Sequence, residues 1–200
     1  MIKAVIFDLG GVIVPFDFKR AYARMEGFCP YPAAEIPQRL RSTDLVARFE
    51  TGRIGAEDFV REVSGILELR TTHDEFCDIF NCIFMRETLV PESLLERIRE
   101  KFRLLLLSNT NPIHFSMIEQ SYPIMRHFED RVLSFRVGVQ KPSPQIYREA
   151  IARAGCRPEE CFFTDDVAAF VEAAQREGID AVQFQSAAQI EQELTNRQNR

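Results

Sequence analysis

The chain has 200 residues, 46% of them hydrophobic, enough for one ordinary core and a small accessory module but not for two large domains. Its formal net charge of −5, with basic residues scattered rather than blocked, gives no field for nucleic acid, so the expected partner is a small molecule held at a local site. Five cysteines without a CxxC pair, in a chain long enough to do without disulfide staples, point to thiols in a reducing cytoplasm; the three histidines lack metal-ligand spacing and read as surface or packing residues.

The apolar amino terminus, MIKAVIFDLGGVIV, holds Asp8 in its middle and is too short to span a bilayer. It also lacks a small-residue cleavage site, so it reads as a buried strand over 4–7 rather than as a targeting or membrane segment. Asp8 then stands at the strand tip, beside Gly10 and Gly11, where the backbone can turn tightly and approach a ligand. Such an aspartate is either a nucleophile or a plain turn residue.

Residues 16–90 show helical spacing and no good strand, which predicts an inserted helical module. Within it, GFCPYPAAEIP carries three of the ten prolines and is predicted to be irregular. Phe76, Ile79, Phe80, Ile83 and Phe84 follow the i, i+3, i+4, i+7, i+8 rule and predict one apolar helix face in a core.

Further apolar runs at 104–107, 132–135, 161–163 and 181–184 alternate with helical patterns. Five such strands predict an α/β fold with a Rossmann-like parallel sheet and helices on both faces. The residues to inspect are then those just after each strand, at the sheet's carboxyl edge.

In LLLLSNTNPIHF, Asn111 and Pro112 already supply a helix start, which leaves Ser108 and the amides of Asn109 and Thr110 free to meet a phosphoryl oxygen or to form a plain polar loop. In GVQKPSPQIY, Ser143 and Pro144 likewise begin a helix, so Lys141 is the unexplained charge. It is either a surface lysine or the partner of a nucleophilic carboxylate and a phosphate. In FFTDDVAAF, one aspartate suffices as a cap, so the pair Asp165 and Asp166 needs another reason. If Asp8 joins them, either a pKa rises sharply or a cation neutralises the cluster, and an oxygen-only site suits Mg²⁺.

These four motifs, FDLGGVIV, LLLLSNTN, the lysine of GVQKPSP and FFTDD, resemble in identity and order those of the haloacid dehalogenase-like (HAD) hydrolase superfamily. The resemblance runs over essentially the whole chain, and the DLGxVI form is similar to the branch of bacterial sugar-phosphate phosphatases. It implies a catalytic core of residues 1–15 and 91–200 with a small all-helical cap, 16–90, inserted after the first strand. The implied activity is magnesium-dependent hydrolysis of a small phosphate ester through an aspartyl-phosphate on Asp8. In that reading Asp8, the Gly10 carbonyl and Asp166 hold the metal, with Asp165 orienting metal-bound water. Ser108 and the Asn109 amide hold phosphoryl oxygens, and Lys141 offsets negative charge.

One departure stands out. Family phosphatases usually carry an aspartate two residues after the nucleophile as acid and base, and here that residue is Gly10. Two compensations are open: Asp17 as a replacement acid, against its simpler role as N-cap of FKRAYAR, or a substrate whose leaving group is already acidic, such as an anomeric sugar hydroxyl. Phe170 also stands where many relatives carry a polar residue or glycine. Rival readings are a haloacid dehalogenase-type hydrolase, which lacks the paired acidic residues, a phosphomutase, and a binding protein that kept the fold. The substrate is not legible, and the cap arginines Arg20, Arg48 and Arg53 are not ranked by sequence.

Overall fold

A computed structural model of the protein describes residues 1–198. Strands β1 (Ala4–Phe7), β2 (Arg103–Ser108), β3 (Asp130–Leu133), β4 (Cys161–Asp165) and β5 (Asp180–Gln183) form one sheet in the order β3-β2-β1-β4-β5, every pairing parallel. The first strand is therefore central, and the chain builds outward from it on both sides, as an open α/β sheet does.

Helices α1 (Phe18–Met25), α2 (Ile36–Arg41), α3 (Leu45–Glu50), α4 (Ala56–Leu67) and α5 (His73–Asn81) lie between β1 and β2 in sequence. After them come α6 (Glu92–Arg99), α7 (Pro112–Ser121), α8 (Ser134–Val137), α9 (Pro144–Ala154), α10 (Ala168–Arg176) and α11 (Ala187–Gln198). None of these helices is long and apolar enough to cross a membrane.

The period-two pleat divides the strand side chains between two layers. Val5, Phe7, Leu104, Leu106 and Phe162 pack with α6, α7 and α11 on one face, whereas Ala4, Ile6, Leu105, Leu107 and Phe163 pack with α9 and α10 on the other. Because both faces are covered, the strands read as unbroken apolar runs, each large side chain contributing about 1.5–3 kcal/mol on burial. A third cluster, with Met25, Leu45, Phe49, Phe59, Val63 and Phe76 among its members, belongs to α1–α5 and reaches the sheet layer through Ile113 of α7.

Two local expectations are corrected. The third strand stops at Leu133 rather than running to 135, because Ser134 turns the chain into α8 and its hydroxyl bridges the Thr110 amide and carbonyl, each at 3.0 Å. The stripe of five hydrophobic residues is not one helix face: α5 ends at Asn81, and Phe84 instead bridges Phe16 in an antiparallel contact. Its members still pack as expected, with Phe76, Ile79 and Ile83 buried and Phe80 and Phe84 against them.

Candidate active site

The β1 ladder continues one residue past the strand, where the Asp8 amide donates to the Thr164 carbonyl at 3.0 Å, so Asp8 leaves the sheet edge from a fixed backbone. Gly11 follows with φ +78°, and a Cβ there would lie 2.5 Å from Asp166 Oδ2. Glycine at this turn is what lets the loop after β1 lie against the loop after β4.

Lys141 is the hub. It is 2% exposed, and its ammonium donates to Asp8 Oδ1 at 2.8 Å, Asp165 Oδ2 at 2.5 Å and the Leu107 carbonyl at 3.3 Å, which uses all three protons. The Asn109 side chain brackets the lysine's backbone, accepting from the Lys141 amide at 2.7 Å and donating to its carbonyl at 3.0 Å. That positioning contact is specific to the asparagine side chain, whereas the sequence pointed only to its amide. Phe170 lies with its ring centroid 5.1 Å from the ammonium, so the unusual aromatic residue screens the lysine from water while offering it a favourable π face.

Asp165 is fully buried, with Oδ1 accepting from the Val167 amide at 2.9 Å and Oδ2 taken by Lys141. Asp166 points the other way and is exposed. The carboxylates of Asp8, Asp165 and Asp166 each offer an oxygen, all within 4.8 Å of one another. Burial, more than any other cause, pushes the Asp8 carboxyl up to about 7; Lys141 opposes the rise and Asp165 adds to it. Asp166 is raised by burial and by Asp165. For Lys141 burial acts downward, but the two carboxylates outweigh it and hold the ammonium above its ordinary value. Two buried carboxylates share one ammonium, and a third, exposed, offers an oxygen within 4.8 Å of theirs, which leaves an excess of negative charge beside a poorly solvated place. An oxygen-only donor set with that excess fits a hard divalent cation such as Mg²⁺.

Beside this cluster, Gly10, Ser108, Asn109, Thr110, Phe16 and Glu50 line a small cavity of about 120 Å³. Ser108 is 2% exposed, and among the described residues its hydroxyl has only a weak contact, 3.4 Å, to the Asn109 carbonyl. Of the two amides the sequence offered here, Thr110's is already donated to Ser134, so only Asn109's remains a candidate for an anion. A larger cavity of about 540 Å³ lies among α1–α5, lined by Tyr22, Leu40, Arg41, Phe49 and Phe80, and shares Phe18, Glu50 and His114 with the smaller one.

His114 has a packing role. Its ring stacks on Phe80 at 4.0 Å, one nitrogen contacts the Phe80 carbonyl at 3.2 Å and the other Asn111 Nδ2 at 3.0 Å, and burial lowers its pKa to about 3. A neutral imidazole with Nε2 protonated satisfies both contacts and ties α7 to α5. Asp17 is the N-cap of α1, its carboxylate accepting from the Lys19 amide at 2.9 Å. Arg48 pairs with Glu62 through both guanidinium nitrogens at 3.1 Å; the arginine lining the larger cavity is Arg41, on which the sequence carried no signal.

The sequence is 27% identical, over 98% of both chains, to D-ribitol-5-phosphate phosphatase of Bacteroides thetaiotaomicron. It is 25% identical to a phosphorylated carbohydrates phosphatase of Thermotoga maritima, over 90% of this chain and 83% of that one. The fold superposes with a TM-score of 0.82 on the crystal structure of a HAD family enzyme from B. thetaiotaomicron in complex with magnesium and inorganic phosphate, covering 93% of this chain and 96% of that one at 26% identity. Residues 2–178 match the hydrolase family described as haloacid dehalogenase-like hydrolase. With its four motif loops gathered at one sheet edge and its sequence matched almost end to end, this chain belongs to the haloacid dehalogenase-like hydrolases.

Proposed function

We propose that this protein is a magnesium-dependent phosphomonoesterase that works through an aspartyl-phosphate on Asp8. The observation that carries the reading is the grouping of Asp8, Asp165 and Asp166 at the carboxyl edge of the sheet, the first two paired with one buried lysine. Asp8 keeps one carboxylate oxygen outside its 2.8 Å contact with Lys141, and that oxygen attacks phosphorus. Asp8, Asp166 and the Gly10 carbonyl hold the metal, with Asp165 positioning water beside it. The division between the two neighbouring aspartates is supported by their partners, since both oxygens of Asp165 are engaged within the protein while Asp166 is exposed. When bound, Mg²⁺ supplies charge neutralisation for the phosphoryl oxygens and the nucleophile. Ser108 and the Asn109 amide take phosphoryl oxygens, and Lys141 stabilises the charge that gathers as phosphorus is approached, which is positioning and electrostatic work.

In this reading residues 16–90 form a cap over a core of residues 1–15 and 91–200, and the cavity among α1–α5 receives the rest of the ester. Its aromatic walls suit the C–H faces of a carbohydrate, while Arg41 and Gln140 offer hydrogen bonds to hydroxyls. The substrate class we infer is a small phosphorylated sugar or polyol, in keeping with relatives named for ribitol 5-phosphate and for phosphorylated carbohydrates. All five cysteines are free thiols, which supports a place in the reducing cytoplasm.

The test is phosphate release from a panel of sugar, polyol and aryl phosphates, with magnesium and with EDTA, for the wild type and Asp8→Asn. We expect magnesium-dependent turnover that disappears in the variant. Turnover on no ester above the level of Asp8→Asn would sink the reading.

A further inference from the structure

We propose that Glu50, at the end of α3, is the acid–base catalyst of this enzyme, delivering a proton to the leaving oxygen and recovering one from the attacking water. The assignment rests on the phosphatase reading above and completes it, because that reading leaves the leaving-group proton without a donor.

Every other acidic group near the strand ends is committed. Asp8 is the nucleophile, both oxygens of Asp165 are bonded, and Asp166 faces the metal site. Lys141 has given its three protons to three acceptors. Asp17 is used as the cap of α1. The space beside Gly10 is not empty either. A Cβ on Gly10 would lie 2.9 Å from Phe16 Cε1, and the Phe16 ring sits edge-on to Phe18 and Phe84 at centroid separations of 5.6 and 6.3 Å. An aromatic wall stands there and holds no transferable proton.

Glu50 borders the same space. It lines the small cavity together with Gly10, Ser108 and Asn109, and it lines the larger cavity that the ester's organic part would fill, so it stands where the two parts of a bound ester meet. Its only side-chain hydrogen bond among the described residues comes from Gln140 Nε2 to Oε2 at 3.1 Å, and Gln140 directly precedes Lys141 in the chain. The carboxyl is thus tied to the loop that carries the hub lysine, and Oε1 is left for a ligand. The backbone behind it is pinned too. Gly52 has φ +67°, and a Cβ there would lie 2.2 Å from the Phe135 carbonyl oxygen, so the turn after α3 lies directly on α8 of the sheet domain. No lysine, arginine or histidine forms an ion pair with Glu50 among the described residues. Burial without a cation raises its pKa above the ordinary carboxylate value, with Gln140 opposing, and favours the protonated form that a general acid needs.

The steps balance. As the Asp8 oxygen bonds to phosphorus, the bond from phosphorus to the ester oxygen breaks, and that oxygen takes the proton of Glu50 to leave as an alcohol. Water then enters, gives a proton to the Glu50 carboxylate and bonds to phosphorus. The bond to Asp8 breaks, inorganic phosphate leaves, and both carboxyl groups return to their starting states.

The experiment compares wild type, Glu50→Gln and Glu50→Asp on a polyol phosphate, phenyl phosphate and p-nitrophenyl phosphate, using kcat/KM because it reports the first chemical step. General acid catalysis is worth about 10²–10⁴-fold. In Glu50→Gln we expect a fall of that order on the polyol ester and a fall at least tenfold smaller on p-nitrophenyl phosphate, whose leaving group needs little protonation. Glu50→Asp should recover part of the loss. Equal falls on all three esters, or none, would overturn the assignment. Should Glu50→Gln fail to fold, the wild type carries the test: its kcat/KM should change little from p-nitrophenyl to phenyl phosphate, and a steep decline means that no acid assists. A wild type that releases phosphate from none of these esters condemns the phosphatase reading instead, so the two failures are distinct.

Discussion

At Asp8 burial and the Lys141 charge pull in opposite directions, and burial, with Asp165 adding to it, wins, leaving the carboxyl at about 7 against 3.8 in the unfolded chain. Between those two values the folded protein binds a proton that the unfolded chain has released. Stability without metal is therefore greatest below 3.8 as far as this group is concerned, and it is lost as pH rises through about 7. We expect the Tm of the EDTA-treated protein to drop across that window, and Asp8→Asn to flatten the drop and melt several degrees higher than wild type at alkaline pH. Parallel Tm curves for the two proteins would show that Asp8 carries no such strain. The same residue explains what was legible in the sequence. Asp8 and Ser108 stood directly after apolar runs, Lys141 and the pair Asp165 and Asp166 stood in the segments that follow two later runs, and helix capping left Ser108, Lys141 and one aspartate of the pair unexplained, so the chain itself pointed to them. Glu50 gave no such signal, because what gives it meaning is a neighbour ninety residues away, Gln140, and Phe16 gave none because its contact with Gly10 depends on how the loop after β1 folds back on itself.

At the scale of elements, the strands were readable because a sheet covered on both faces needs continuous apolar residues. Their ends were less so. Where β3 stops depends on the Ser134 hydroxyl finding the Thr110 backbone across the sheet edge, a contact that no local pattern encodes. The turn after α3 has the same character, since its glycine is required by the Phe135 carbonyl on another helix. Gly52→Ala adds a left-handed alanine, costing about 1 kcal/mol, and a methyl group that backbone must move to admit. We expect a loss of about 1–3 kcal/mol, in the range of single mutations with a named steric cause, and a disproportionate fall in kcat/KM because α3 carries Glu50. Thermal melting and steady-state kinetics on the same preparation check it. Full activity with a lowered Tm would mean that the turn supports the fold but not the placement of Glu50.

Across the whole molecule, three hydrophobic clusters hold the four motif loops and α3 around a point where three carboxylates gather and two of them share one ammonium. The packing brings these charges together despite their repulsion, so the folded protein without a cation carries a destabilising site that the unfolded chain does not. Binding of Mg²⁺ to the folded state alone should then appear as stability, by about 2.7 kcal/mol at a hundred times its dissociation constant. For a chain of this size that corresponds to roughly 5–10 °C in Tm. Asp166 separates this linkage from a general salt effect, because it is exposed, bonds through its side chain to no other residue among those described, and is raised by burial and by Asp165. Removing its charge relieves the repulsion and removes the metal ligand we propose at once. Asp166→Asn should melt at or above the wild type in EDTA and gain little or nothing from magnesium, whereas Arg48→Gln, which touches only the ion pairs within the α1–α5 module, should keep the full magnesium shift. An Asp166→Asn protein that still gained the wild-type increment would place the cation somewhere other than between the loops after β1 and β4.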